Sequence, residues 1–175
     1  MKKTLILCMT VLTLTGCSTL GNFFDGMFTG GSSDYPDQQL LQQHISQCDT
    51  GMAAECIAAG SVYELRGGDN YPIALKFYQK GLALQSADAN QAIGHLYENG
   101  YGVPQNYDTA RQWYQKGADA GDGNAMLYLA NMYRYGHGVT KDPRTALKYA
   151  RMACKKGNIL ACSTRTQLQV TTGKK

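Results

Sequence analysis

An all-α fold, an array of helical hairpins stacked in series, is what this sequence predicts. Three observations carry the prediction. One stretch is written twice, 36 positions apart: Ala89, Tyr97, Gly100, Gly102, Val103, Thr109, Ala110, Gly121 and Ala125 recur as Ala125, Tyr133, Gly136, Gly138, Val139, Thr145, Ala146, Gly157 and Ala161. A fixed period of this length marks a helical repeat array. Within each copy, glycines and polar residues stand where one helix stops and the next begins. Small and aromatic residues also recur in phase: Ala74, Ala110 and Ala146, accompanied by Phe77, Trp113 and Tyr149. Small residues let helices approach, and the aromatics fill the space beside them. Such arrays bury a shared core between neighbouring hairpins and leave a curved face for a partner. The class favours a binding module over an enzyme.

Residues 1–16 are expected to lie outside the fold. Lys2 and Lys3 form a charged segment, and residues 4–14 form an apolar run of 11, too short to span a bilayer. Small residues then lead to a cysteine: Leu14, Thr15, Gly16, Cys17. This is the pattern of a secretory signal. It also resembles the lipobox of bacterial lipoproteins. That resemblance implies cleavage before Cys17, diacylglycerol on its thiol and an acyl group on the new amine. One acyl chain anchors marginally, at ~0.8 kcal/mol per buried CH2, whereas several anchor firmly. Ser18, in that family's sorting pattern, is compatible with the outer membrane. The implied location is the periplasmic face of the outer membrane, held by lipid. An ordinary signal peptide with Cys17 as a bystander is the alternative.

Residues 17–36 read as the lipidated cysteine and a flexible tether, with Gly30, Gly31, Ser32 and Ser33 of linker composition. Phe23, Phe24, Met27 and Phe28 suit either lipid headgroups or packing on the first helix. The remainder has the length of one domain. The formal net charge is +4, of which Lys2 and Lys3 carry two, too little to imply nucleic acid.

Of six cysteines, Cys8 falls in the signal and Cys17 goes to lipid, leaving Cys48, Cys56, Cys154 and Cys162. Four cysteines allow three connectivities. The equal spacing of eight favours Cys48–Cys56 and Cys154–Cys162, which an oxidising periplasm permits. The alternative, a four-thiolate zinc site, usually has close pairs about two to four residues apart.

The repeat domain is expected over 37–170. A capping helix covers 37–48, with Leu40, Leu41 and Ile45 at helical spacing. Repeats follow over about 53–87, 88–123 and 124–159, then a capping helix over 160–169 and a disordered tail over 171–175. Each repeat is an A helix and a B helix. Gly100 and Gly136 suit the left-handed position that ends an A helix. Asn70, Asn106 and Asp142 suit the start of the B helix, and Pro143 its first position. The A helices of the first two repeats align at an offset of 34 rather than 36, so the first hairpin has a shorter turn around Arg66, Gly67 and Gly68 and is expected to be distorted.

Tyr-x-x-Gly-x-Gly-Val, a polar cap, then Ala and an aromatic pair resembles the Sel-1-like repeat, a branch of the tetratricopeptide superfamily. The match covers about 53–165 and is strongest over 88–157. It implies a right-handed α-solenoid. The paired cysteines resemble the secreted, cysteine-rich members, which cross-link the end of one B helix to the start of the next A helix. Here only the two ends of the array keep the pair; Leu82 and Ala118 stand where Cys154 stands.

No catalytic constellation is visible: there is no phosphate loop, His-Glu-x-x-His, Gly-x-Ser-x-Gly or Ser-x-x-Lys. His44, His95 and His137 fall in different elements without ligand spacing and are read as surface or turn residues. Tyr63, Tyr97 and Tyr133 share a phase and are read as hairpin packing. Arg111, Lys116, Lys148, Arg151, Lys155 and Lys156 are read as a solvated B-helix face, with anionic lipid as the weaker alternative. The candidate binding residues are polar positions on the A helices, which line the inner curve of related solenoids. One rung is Ser61, His95 and Asn131; the next is Glu64, Glu98 and Arg134. Residues three apart share a helix face, so the rungs form one polar strip suited to a peptide or loop of a protein partner.

The resulting expectation is a membrane-anchored periplasmic adaptor with no cofactor, no metal and an unidentified envelope protein as partner. Small secreted members of the family act as immunity or inhibitor proteins. A second class is an enzyme, since cysteine-rich relatives have been described as penicillin-binding or weakly β-lactamase-like; no nucleophile–base pair matches residue by residue. A third is a structural or assembly lipoprotein. Replacing Cys17 with serine is expected to move the protein from the membrane to the soluble fraction of cells; unchanged fractionation would refute the lipid tether.

Overall fold

A computed structural model describes residues 38–173. The expectations for the signal, for Cys17 and for the tether lie outside those residues. The described elements are all helical. They are α1 (Gln38–Asp49), α2 (Ala53–Arg66), a 3-10 turn (Gly68–Asn70), α3 (Tyr71–Ala83), α4 (Ala87–Asn99), α5 (Tyr107–Asp119), α6 (Gly123–Tyr135), α7 (Pro143–Lys155) and α8 (Ile159–Thr172). Consecutive helices pack as hairpins, α2 with α3, α4 with α5 and α6 with α7, and each hairpin stacks on the next. The A helices α2, α4 and α6 also meet one another along one side. This is the expected solenoid.

Local chemistry sets the helix ends. Gly100 (φ 71°) and Gly136 (φ 83°) take the left-handed conformation after α4 and α6, where a side chain would be strained. The chain then returns through Asn106 N–H to Tyr97 O and Asp142 N–H to Tyr133 O, both at 2.8 Å. The Asn106 side chain caps α5 by accepting from Thr109 N–H, and the Asp142 side chain caps α7 by accepting from Arg144 N–H. Asn70 departs from the expected pattern. Its backbone is helical, its side chain caps no amide, and its Nδ2 donates to Gly67 O. The two-residue deletion leaves no room for an extended residue there, so the 3-10 turn feeds directly into α3. The hairpin is distorted, as expected.

The core runs in series between the hairpins. Ala74, Tyr78, Ile93 and Leu96 are buried between the first and second repeats. Ala110, Tyr114, Leu129 and Met132 are buried between the second and third. Ala130, Ala146, Ala150 and Leu168 close the third against α8. The phased aromatics pack as expected in two repeats, Tyr63 stacking on Phe77 and Tyr133 on Tyr149.

One contact fixes how closely A and B helices approach. A methyl group at Gly60 would come within 2.5 Å of the Tyr78 ring, and one at Gly94 within 2.6 Å of the Tyr114 ring. Each tyrosine therefore lies flat on the glycine of its own A helix. Overpacking of this kind costs about 1–3 kcal/mol. The third repeat replaces both partners, Gly by Ala130 and Tyr by Ala150, and both alanines are buried.

The ends are built differently from the middle. Disulfides join Cys48 to Cys56 and Cys154 to Cys162, linking α1 to α2 and α7 to α8. The zinc alternative is thereby excluded. At the inner junctions the same places hold Leu82 with Asn90 and Ala118 with Met126, of which Asn90, Ala118 and Met126 are buried. The last helix also carries polar residues where inner A helices are apolar. Arg165 stands where Ile93 and Leu129 stand, and Gln169 where Tyr97 and Tyr133 stand. A polar outer face is what an end cap needs. This helix does not end where the sequence predicts. Thr171 and Thr172 are helical rather than part of a disordered tail, their hydroxyls donating to Leu168 O.

Each bridge closes a short loop, worth about 2–3 kcal/mol through the unfolded state. Reduction is therefore expected to lower the melting temperature by about 5–10 °C per bridge. A melting curve unchanged by reductant would show that the bridges do not staple the ends.

Candidate functional site

The A helices bring four of the six sequence-predicted residues, Ser61, Glu64, His95 and Glu98, into a cleft and a ladder, not into one open strip. A glutamate stands one turn after each close-approach glycine: Glu64 after Gly60, Glu98 after Gly94. The tyrosine lying on that glycine reaches its own repeat's glutamate. Tyr78 donates its hydroxyl to Glu64 at 2.5 Å, and Tyr114 donates to Glu98 at 2.6 Å. The following repeat then adds a histidine. His95 Nδ1 lies 2.6 Å from Glu64, and His137 Nδ1 lies 3.6 Å from Glu98. Each carboxylate is thus shared between a phenol of its own hairpin and an imidazole of the next.

The first junction opens into a cleft of about 560 Å³. Ile57, Ser61, Glu64 and Leu65 of α2 form one side, Gln91, Ala92 and His95 of α4 the other, with Tyr71, Tyr78, Tyr101 and Tyr128 completing the wall. The rings form a row across three repeats. Tyr71 stacks on Tyr101 with centroids 4.4 Å apart. His95 meets Tyr101 edge-on and leans on Tyr128, both at 5.8 Å. Tyr128 stacks on Tyr114 at 4.8 Å. At the second junction the equivalents of Tyr71 and Tyr101 are Tyr107 and His137, tilted at 5.5 Å.

Burial and charge hold the phenols in their donor form. Tyr78 and Tyr114 are pushed well above the ordinary tyrosine value, first by burial and then by the glutamate each one serves. Tyr128 is raised by burial and by the charges of Glu98 and Glu64. Tyr71 is raised first by burial, then by Tyr101 and by Glu64. His95 is raised chiefly by its hydrogen bond to Glu64, which outweighs its burial.

Ser61, Glu64 and His95 therefore line one cleft, although the Ser61 hydroxyl donates to Ile57 O of its own helix. Glu98 belongs to the second rung of the ladder. Asn131 and Arg134 lie outside the cleft. Arg134 donates to Gln167 of α8 at 3.0 Å, and its guanidinium lies 5.1 Å from the Tyr135 ring centroid. The glutamate column breaks at Arg134 in the same repeat that replaces Tyr78 and Tyr114 with Ala150, so glycine, tyrosine and glutamate change together. That joint change was visible in the sequence and marks the three columns as one unit. The histidines are read from sequence as surface or turn residues, and His137 is one, exposed in its turn; what that reading misses is that each meets a glutamate of another element, the third case being His44 with Glu55 at 2.5 Å. Among the described residues, no group of three or more His, Cys, Asp or Glu could hold a metal ion, and no helix is long and apolar enough to cross a membrane.

The Sel1 repeat profile matches residues 47–86, 87–122 and 123–158 in succession. The chain belongs to the Sel1 repeat family. Among solved structures, this Sel1 repeat chain is similar to a Sel1 repeat protein from Oxalobacter formigenes, with 27% identity and a TM-score of 0.66 over 78% of this chain and 56% of that one. It is similar to a protective antigen of uropathogenic Escherichia coli strains displaying an SLR fold, with 30% identity and a TM-score of 0.58 over 67% of this chain and 26% of that one. Cysteine-rich protein B of Helicobacter pylori shares the fold, at 24% identity and a TM-score of 0.58 over 77% of this chain and 98% of that one. The chain spans little more than half of the Oxalobacter protein and about a quarter of the Escherichia coli one. No curated protein matches it significantly.

The His95–Glu64 pair has a defined pH signature. Because the folded value of His95 is raised, its contribution is complete below the ordinary histidine value of about 6.5 and is lost as pH rises through the folded value. The difference in melting temperature between wild type and His95→Asn is therefore expected to shrink from pH 6 to pH 9. A difference that grows with pH would contradict this pairing.

Proposed function

We propose that this Sel1 repeat protein is a membrane-tethered interaction module of the cell envelope whose A-helix face receives a segment of a protein partner. The observation that carries the reading is the cleft between the first two repeats, open on the A-helix side and lined by rings, a carboxylate and an exposed leucine. Sel1 repeats serve as scaffolds for protein interactions, and an array of hairpins supplies a rigid, preformed surface of this kind. Two disulfides in one small domain accord with an oxidising compartment outside the cytoplasm. The lipobox-like segment ending at Cys17 supports a lipid anchor, and Ser18 supports the outer membrane. One form of this role is an immunity or inhibitor protein, in which the face occludes a toxin or an envelope enzyme; another is a lipoprotein that assembles a membrane complex.

Leu65 is 87% exposed at the rim, so its substitution leaves the core intact. Leu65→Arg is expected to abolish capture of the envelope partner by the tagged protein after cross-linking. Lys148→Glu, on the B-helix face, is expected to retain it. Equal capture by both variants would overturn the A-helix-face reading.

A further inference from the structure

We infer that the cleft between the first two repeats is an acceptor for one arginine side chain of the protein partner. This deepens the A-helix-face reading and rests on it. The floor of the cleft is the Glu64 carboxylate, its side chain 17% exposed. A carboxylate offers about four lone-pair positions, and Tyr78 and His95 take two. Two remain for guanidinium donors, which match carboxylates in fork geometry. Tyr71 and Tyr101, stacked on each other, line the same cleft, and aromatic rings are surfaces to which a guanidinium is drawn. The rim is Leu65, next to Glu64 in the chain, and it suits the aliphatic stem behind the charged head.

Charge points the same way. None of the described residues lining the cleft is lysine or arginine. The fields of Glu64 and Glu98 reach the phenols around it. A lysine would meet the carboxylate as a point charge, without the planar fork that pairs with two oxygens at once. The chain itself uses such contacts elsewhere: Arg134 lies over Tyr135, and Lys116 lies over Trp113 at 4.0 Å.

His95 gates the site. It is faced by Glu64 from α2, Glu98 from its own helix, Tyr101 from the following turn and Tyr128 from α6. Protonated, it cancels the charge of Glu64; neutral, it leaves that charge to the incoming arginine. Arginine binding therefore strengthens as pH rises through the titration of His95.

The test is an NMR titration of the intact chain, carrying Cys17→Ser, with N-acetyl-arginine N-methylamide. Ring resonances of His95, Tyr101 and Tyr128 are followed, with the blocked norleucine analogue as control. Saturable shifts with blocked arginine only are expected at pH 8.5. Binding is expected to be about tenfold weaker at pH 5.5, and about tenfold weaker in Glu64→Gln. His95→Gln is expected to bind at both pH values alike. Should Glu64→Gln misfold, Leu65→Ser provides the second variant, expected to weaken arginine binding with the fold intact. Absence of shifts, equal shifts with norleucine, or affinity indifferent to both substitutions would overturn the inference. If Leu65→Arg abolishes partner capture while blocked arginine does not bind, the arginine slot fails and the A-helix-face reading stands. If blocked arginine binds but capture ignores Leu65→Arg, the slot stands and that reading fails.

Discussion

The depth to which a tyrosine sinks onto a helix backbone governs this molecule. Tyr78 and Tyr114 can lie against α2 and α4 only because Gly60 and Gly94 present no side chain. That contact sets the distance between the two helices of a hairpin. It also aims a phenol at a glutamate one turn further along. The buried hydroxyl needs an acceptor, and the half-buried carboxylate needs a donor, so each resolves the other's desolvation. Hairpin geometry and A-helix chemistry are thus one problem with one solution.

The third repeat shows the dependence by breaking it. With Ala130 and Ala150 both positions of the contact hold buried methyl groups, the phenol is gone, and the glutamate position holds Arg134, which turns to Gln167 of the last helix. The array passes in this way from a carboxylate-and-ring surface to a terminus held by sulfur and polar side chains. The sulfur lies where a hairpin has a neighbour on one side only. At the inner junctions, Ala118 with Met126 and Leu82 with Asn90 occupy the corresponding places.

Much of the fold was legible because its signals are local. The 36-residue period, the left-handed glycines, the caps Asn106 and Asp142, and the paired cysteines each act within a few residues of their own position. Asn70 was misread because its role depends on the length of the preceding turn, not on its residue type. The end of α8 was placed too early because threonine is a poor helix former, while Thr171 and Thr172 bond back to Leu168 O. The site was only half legible. Repeat phase located Ser61, Glu64 and His95 on one face. It could not show that the tyrosine beside each aromatic marker, Tyr78 or Tyr114, crosses to the glutamate, nor that the histidine arrives from the next unit. Those are contacts between columns, and only their shared change in the third repeat betrays them.

The two histidines reach their glutamates from different places, His95 from a helix and His137 from the turn that follows one. His137 occupies the place of Tyr101, one unit on. Excision of a whole middle unit would therefore leave Glu64 facing Asn131 where His95 had been, yet with His137 brought into range from the turn. Removal of a whole module would thus leave no acid stranded at the seam.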